Sequence, residues 1–519
     1  MRKLIILFFV GLAITVSSCR EDFVFEPSTG DLVFSKDTVY LDTVFTNIGS
    51  STYTLKVYNK SGKDIKIPTI RLAKGVGTKY RITVDGMTGD ENRVFHDVEL
   101  LAKDSMYIFI ETTAGIGDAN PSDFLYTDQI EFDSGANLQK VELVTLIQDA
   151  YFIFPNKQNG ITDSIPIGFK ENGDVLLTNG RNLNHNHPDN DDEYTFHTDK
   201  PYVVYGYASV PTGETLTIPA GARVHFHAES GIVVQAGGTL HIDGSTSISQ
   251  TELENEVIFE GDRLEPGFSD VPGQWGTIYL RNGSGTQNHR IRNLTLKNAT
   301  IGLLIENTAG NKITIDDTQI YDSSNYGIFA ADGRIDGKNV VINTAGQFCL
   351  AAVYGGDYDF TNCTFNNNWS SSKQLAVYVA DNLKDAVPES LPLQADFTNC
   401  IIYGSNTNEI ILDKKGAVFN STFQNCLVKI NVSSGSVAAA NPELYDTFRL
   451  EQNGNKINEN PNFQNIAKNK LLFEQDSPAA GMGIDAGVLF DILGRQRVSP
   501  YDVGAYNWIV FPPPPAGKN

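Results

Sequence analysis

Apolar and polar residues alternate through most of this chain, in short runs that stop at Gly, Pro, Asn or Asp, and a period of two predicts strands rather than helices. Val39-Tyr40-Leu41 leads into Val44-Phe45, and Tyr53, Leu55 and Val57 alternate before the turn Asn59-Lys60-Ser61-Gly62. Ile65 and Ile67, Ile82 and Val84 before Asp85-Gly86, Tyr107 to Ile110, Ile130 and Phe132, and Val141 and Leu143 continue the pattern. About seven such strands predict a β-sandwich over residues 31–155. Residues 156–200 hold few apolar pairs and a polar insert, Asn182 to Lys200, and read as a connecting segment.

From residue 201 the texture changes. Leu216/Ile218, Val224/Phe226, Ile232/Val234, Leu240/Ile242, Val257/Phe259 and Ile278/Leu280 are in-out-in triplets, three to a coil, as in a solenoid. A repeated word sharpens this: Asn-apolar-x-apolar begins at Asn293, Asn339, Asn362, Asn399 and Asn425, with Asp317 filling the same slot. These anchors are spaced by 24, 22, 23, 37 and 26 residues, the long interval carrying an insert visible from Leu383 to Pro392. One coil of a parallel β-helix takes roughly 20–25 residues and neighbouring coils lie about 4.8 Å apart. The anchor amides are therefore expected to stack as a ladder at one turn, each bonding the next. The expected fold is all-β: a right-handed parallel β-helix over 201–508, preceded by an Ig-like sandwich and followed by a Pro-rich tail at 509–519.

The cysteines fit this register. Cys363, Cys400 and Cys426 fall in one inward slot on successive coils, where buried thiols are expected. Cys19 is different. Met-Arg-Lys, an apolar run from Leu4 to Val16, and Val16-Ser17-Ser18-Cys19 form a charged start, a short hydrophobic stretch and a small-residue junction. That junction resembles a bacterial lipobox, which implies a signal peptide over 1–18, lipidation of Cys19, a tether over 19–30 and a membrane partner through the lipid anchor. Arg20-Glu21-Asp22 resembles the acidic surface-export signal of Bacteroidetes lipoproteins and implies an outer-membrane, surface-exposed location. Without residues 1–18 the chain has 38 basic and 62 acidic residues, a net −24. Such a surface repels phosphate backbones, so nucleic acid is excluded as a partner, and bare acidic polysaccharides are disfavoured unless divalent cations bridge the charges.

Val44–Ile67 resembles Ig-like domains of the Hydin type. Asn460-Pro461-Asn462-Phe463, Ser477-Pro478-Ala479, Ile484-Asp485-Ala486-Gly487, Asp491-Ile492-Leu493-Gly494-Arg495 and Asp502-Val503-Gly504-Ala505-Tyr506 resemble the ending of secreted β-helices of the pectate-lyase-like superfamily. With Gly261 to Pro266 and Pro272-Gly273-Gln274-Trp275-Gly276, residues 200–508 resemble Bacteroidetes right-handed β-helix lipoproteins. That architecture hosts lyases, hydrolases and non-enzymatic adhesins alike, so activity must be argued from side chains.

The register names the outward positions. One column holds Thr295, Gln319, Val341, Thr364, Ile401 and Leu427, and the next holds Lys297, Tyr321, Asn343, Asn366, Tyr403 and Lys429. Neither contains a carboxylate, so a cation site of the lyase kind is not expected there. Tyr321, Asn343, Asn366 and Tyr403, with Trp369 beyond, are candidate binding residues: rings stack on sugars and amides bond hydroxyls. Asn366 is expected to face solvent. Asp316 and Asp317 are adjacent, but strand alternation is expected to send them apart. His225 and His227 read as a surface pair, and His185, His187 and His197 as a solvated loop. The alternative is a polysaccharide lyase or glycoside hydrolase working from the loop Asp262, Arg263 and Glu265, with calcium as its cofactor. The expectation favoured is a non-catalytic surface lipoprotein with a glycan-binding or scaffolding face, no cofactor and no metal.

Overall fold

The computed structural model describes residues 24–169, 174–281, 288–306, 313–371, 373–384, 386, 388–416, 418–432 and 441–511. The expected signal peptide, Cys19 and residues 512–519 of the Pro-rich tail lie outside the described residues. The protein is all-β with long parallel sheets, and it divides into two compact units, Met1–Asp149 and Ala150–Asn519.

The described part of the first unit has two sheets. One contains Glu26–Pro27, Ile65–Leu72, Leu125–Phe132, Gln139–Gln148, Thr38–Phe45 and Phe95–Leu100; the other contains Val33–Phe34, Tyr53–Tyr58, Ser105–Thr112 and Tyr80–Val84. Alternation does what the sequence requires: Leu55, Val57, Ile108 and Ile110 from the second sheet meet Ile67, Ile130, Val141 and Leu143 from the first in a single apolar core. Phe95–Leu100 was not legible in the sequence, because His96, Asp97 and Glu99 interrupt its apolar positions.

In the second unit, after the antiparallel pairs Lys157–Gln158 with Ile161–Thr162 and Ser164–Phe169 with Val175–Asn182, successive described strands pair in parallel. Among the described residues one sheet runs Tyr151–Ile153, Tyr202–Val204, Arg223–Phe226, Val257–Gly261, Leu294–Lys297, Gln319–Ser323, Val341–Ala345, Thr364–Asn367, Ile401–Gly404, Leu427–Val428 and Lys456–Ile457. Thr295, Gln319, Val341, Thr364, Ile401 and Leu427 are successive partners, so the spacing of the anchors is the spacing of the rungs. Inside, Phe360, Phe397 and Phe423 stack with ring centroids 5.5 and 4.9 Å apart. Gly337 ends that file because a Cβ there would meet the Phe360 ring at 2.6 Å. Cys349, Cys363, Cys400 and Cys426 are all free and buried.

The anchors have a reason that differs from the expected ladder. Asn293, Asp317, Asn339, Asn362, Asn399 and Asn425 all adopt positive φ, between 44° and 54°. Asn and Asp are the side-chain-bearing residues that tolerate this left-handed corner best. Their side chains mostly reach elsewhere. The Nδ2 groups of Asn339, Asn362, Asn399 and Asn425 donate to the carbonyls of Phe490, Asp502, Ile484 and Met482. One rung-to-rung bond accompanies them, from Asn339 to Asp317 at 2.8 Å.

Those carbonyls belong to the C-terminal segment, which lies along the sheet as a strap instead of ending the stack. Leu471, Phe473, Val503, Ala505 and Tyr506 pack on Tyr321, Val341, Ile401 and Leu427 in a second apolar cluster. Gly504, at φ 83°, comes so close that a Cβ would meet Thr364 Oγ1 and Ile401 Cδ1 at 2.7 Å.

Candidate functional site

Register continues the second outward column beyond the positions named from sequence: His225, Glu260, Lys297, Tyr321, Asn343, Asn366, Tyr403 and Lys429 occupy equivalent places on successive strands. The strap covers its middle. Tyr321 is 6% exposed, Asn343 fully buried and Asn366 1% exposed, which corrects the expectation that all three face solvent. The cause is the apolar column beside them, whose Val341, Ile401 and Leu427 recruit the strap. Tyr321 donates to Gln319 Oε1 at 2.5 Å, and Asn343 donates to Ile466 O and Asn469 Oδ1.

At the strap's edge the column opens again. Asn366, Asn368, Tyr403 and Lys429 from the sheet, and Asn460, Asn462 and Phe463 from the strap, line a cleft of about 540 Å³. Lys429 Nζ lies 4.9 Å from the Tyr403 ring centroid and donates to Gly404 O. Asn366 donates through Nδ2 to Asn343 Oδ1 at 2.7 Å, while its own Oδ1 is buried without a donor. A buried acceptor left alone costs about 1–3 kcal/mol, a local cost carried by the wall of the cleft. Trp369, half-buried, is not among the residues lining this cleft.

The loop proposed as an alternative catalytic site is internally matched. Asp262 Oδ2 is 2.7 Å from His227 Nδ1, and Tyr205 stacks on that imidazole at 4.4 Å. The hydrogen bond to Asp262 holds His227 above its ordinary pKa, with burial opposing. Arg263 pairs with Glu265 at 3.0 Å and its guanidinium lies 3.7 Å from the Phe268 ring. A lyase needs an Arg available to substrate and carboxylates available to a cation; here both are engaged. His225 does not form a surface pair with His227: it is buried, desolvation lowers its pKa, and Glu260 sits 3.8 Å away. Glu260, its partner on the adjoining strand, pairs in turn with Lys297 at 2.6 Å. His185 lies between Asp192 and Glu214 at 2.9 and 3.1 Å. Among the described residues no three His, Cys, Asp or Glu side chains converge as a metal site.

Asp316 and Asp317 were expected to part, yet both line one cleft of about 510 Å³, with Arg292, Lys338 and Phe490. The left-handed backbone at Asp317 breaks the alternation. Burial pushes the Asp317 carboxyl up to about 6 against the pull of its bond from Asn339, and neighbouring Asp316 adds to the rise. Asp316 is raised by burial too, and Arg292 stands 3.7 Å from it.

No family model matches this chain, and no curated protein matches it. Among solved structures, the periplasmic chaperone SfaE aligns at 15% identity over 22% of this chain and 58% of its own, with a TM-score of 0.16. The chain thus spans less than two thirds of that chaperone. The PapD-like domain 7 of human CEP192 aligns at 14% identity over 26% of this chain and 96% of its own, with a TM-score of 0.15. The catalytic domain of a GH87 alpha-1,3-glucanase, solved with tetrasaccharides, aligns at 9% identity over 78% of this chain and 85% of its own, with a TM-score of 0.17.

Proposed function

We propose that the protein is a lipid-anchored, cell-surface lipoprotein that binds neutral glycan in the Asn366–Tyr403 cleft. On this reading the second unit is a right-handed parallel β-helix, the first an Ig-like sandwich that serves as spacer, and Cys19 the lipid-bearing residue in the outer membrane. The observation that carries the binding proposal is the lining of the cleft itself, where Asn366, Asn368, Asn460 and Asn462 stand around the rings of Tyr403 and Phe463. Sugar hydroxyls donate to amide oxygens, and sugar C–H faces lie against aromatic rings; four Asn side chains and two rings supply both kinds of contact in one place. The stacked parallel strands and the one-residue register of the anchors support the architecture.

Affinity electrophoresis of the purified protein through neutral polysaccharides tests the cleft. Tyr403→Ala with Phe463→Ala should weaken retention about tenfold, each ring being worth on the order of 1 kcal/mol. Unchanged retention, or no neutral polymer bound, would reject the reading. Incorporation of labelled palmitate, lost in Cys19→Ala, tests the anchor separately.

A second reading, hydrolysis of an extracellular polysaccharide, draws on the two adjacent carboxyls that share the other cleft with unequal surroundings. It requires new reducing ends from some polysaccharide, and their loss in Asp317→Asn.

A further inference from the structure

The four-stranded sheet of the first unit has an outer face on which aromatic and cationic side chains gather. Leu55 and Val57, and Ile108 and Ile110, take the inward positions, so Lys56 and Tyr58 point outward from one strand and Tyr107 and Phe109 from its antiparallel neighbour. The pairing sets Lys56 directly opposite Tyr107. Tyr107 and Phe109 are 46% and 41% exposed, their centroids 6.4 Å apart and their planes within 21° of parallel. Lys56 Nζ lies 5.3 Å from the Tyr58 ring and 5.1 Å from the Tyr107 ring, and Lys60 Nζ lies 5.8 Å from the Tyr58 ring.

Among the described residues neither lysine is in an ion pair. The nearest strand carboxylate on this face, Glu111, is taken by Arg81 at 3.6 Å and by the Thr52 hydroxyl. In a chain with 62 acidic and 40 basic residues, two ammonium groups held beside aromatic rings and outside any ion pair gather positive charge on one face. Its complement is an anion carried on something flat.

We propose that this face binds an acidic polysaccharide, one whose sugar rings bear carboxylate or sulfate groups. The rings of Tyr107 and Phe109 receive the C–H faces of successive sugars, and Lys56 and Lys60, fixed at ring level by their cation–π contacts, receive the charged substituents. A lipid phosphate would use the ammonium groups and leave two exposed parallel rings unexplained. The face uses residues of the first unit alone and is independent of the neutral-glycan cleft.

The full-length protein, run through gels of dextran, dextran sulfate and hyaluronan and mixed with phosphatidylglycerol vesicles, tests this. Retention is expected on dextran sulfate and hyaluronan, falling steeply between low and physiological salt because exposed charges are screened over about 8–10 Å. Lys56→Gln with Lys60→Gln, and separately Tyr107→Ala with Phe109→Ala, should each weaken it roughly tenfold, corresponding to about 1.4 kcal/mol. All four side chains being on the outer face, melting temperatures should not move. Full retention in either double variant, equal losses on plain dextran, capture by the vesicles with the same lysine dependence, or a loss of retention that merely follows a lowered melting temperature would each overturn it.

Discussion

Asn399 and Ile484, 85 positions apart, exchange two hydrogen bonds: Asn399 Nδ2 donates to the Ile484 carbonyl at 2.8 Å, and the Ile484 N–H donates to Asn399 Oδ1 at 3.1 Å. The Asn399 carbonyl also accepts from Gly504 N at 2.7 Å. One residue therefore turns its own strand and holds two passes of the strap.

Its two duties can be separated. Asn399→Gly keeps the left-handed corner and loses the side-chain clamp, which should cost about 1–3 kcal/mol. Asn399→Leu loses the clamp and strains the corner as well, adding roughly 1–2 kcal/mol. Urea unfolding that ranks the two variants equal would show that the backbone conformation contributes nothing.

Tyr321 should behave as core. Tyr321→Ala empties a site packed by Leu471, Phe473 and Tyr506, and is expected to lose about 3–5 kcal/mol while leaving glycan retention of the surviving folded protein unaltered. Tyr321→Phe removes the hydroxyl's bonds to Gln319 and Tyr506 and should cost about 1–2 kcal/mol. A loss of retention in Tyr321→Phe without loss of stability would return this ring to the binding face.

Asp322 ties the strap through Asn469, at 3.0 Å from its Oδ2. Burial pushes its carboxyl from an ordinary 3.8 up to about 6, against the Asn469 bond; Asp270 raises it further and Lys297 and Lys468 lower it. The folded state therefore holds a proton more tightly than the unfolded chain. The cost of ionising Asp322 is full above pH 6, shrinks as pH falls through that value and vanishes below about 3.8. Asp322→Asn should be the more stable protein at pH 7.5, by up to roughly 3 kcal/mol, with the gap closing towards pH 4. A pH-independent gap in thermal melts would refute the assignment.

The described thiols should be silent. Burial pushes those of Cys349, Cys400 and Cys426 well above the ordinary range, and thiolate is the reactive form. A water-soluble maleimide should label none of Cys349, Cys363, Cys400 and Cys426 in the native protein and all four after denaturation, read by peptide mass. Native labelling at Cys363 would mean that its slot is open.

Much of the rung register was legible because Asn at the corner and aliphatic or thiol residues after it recur at nearly constant intervals. The chemistry of the corner was misread: an amide column suggested a ladder, whereas positive φ selects Asn and Asp there and the strap uses their side chains. The strap itself was hidden because residues 458–511 have no period and, apart from isolated bridges, one named element, the 3-10 turn Ile466–Lys468. A signal for it did exist. Val341, Ile401 and Leu427 lie in a column that solvent should have filled with polar groups, and such a run announces a covering segment. The surviving cleft could not be found without knowing where that cover stops, and the Asp317 corner defeats any argument from alternation.

Arrays of stacked strands usually bind only neighbour to neighbour, so each end can fray without informing the other. Here the strap touches rungs from Gln319 to Asn425 at once, through Tyr506 and Gln319 at one end and Met482 and Asn425 at the other. It converts a one-dimensional zipper into a closed circuit: no rung in that stretch can open without straining contacts several rungs away. Residues 458–511, though nearly devoid of regular structure, thus tie together the rungs they cross and make the opening of one a matter for the others.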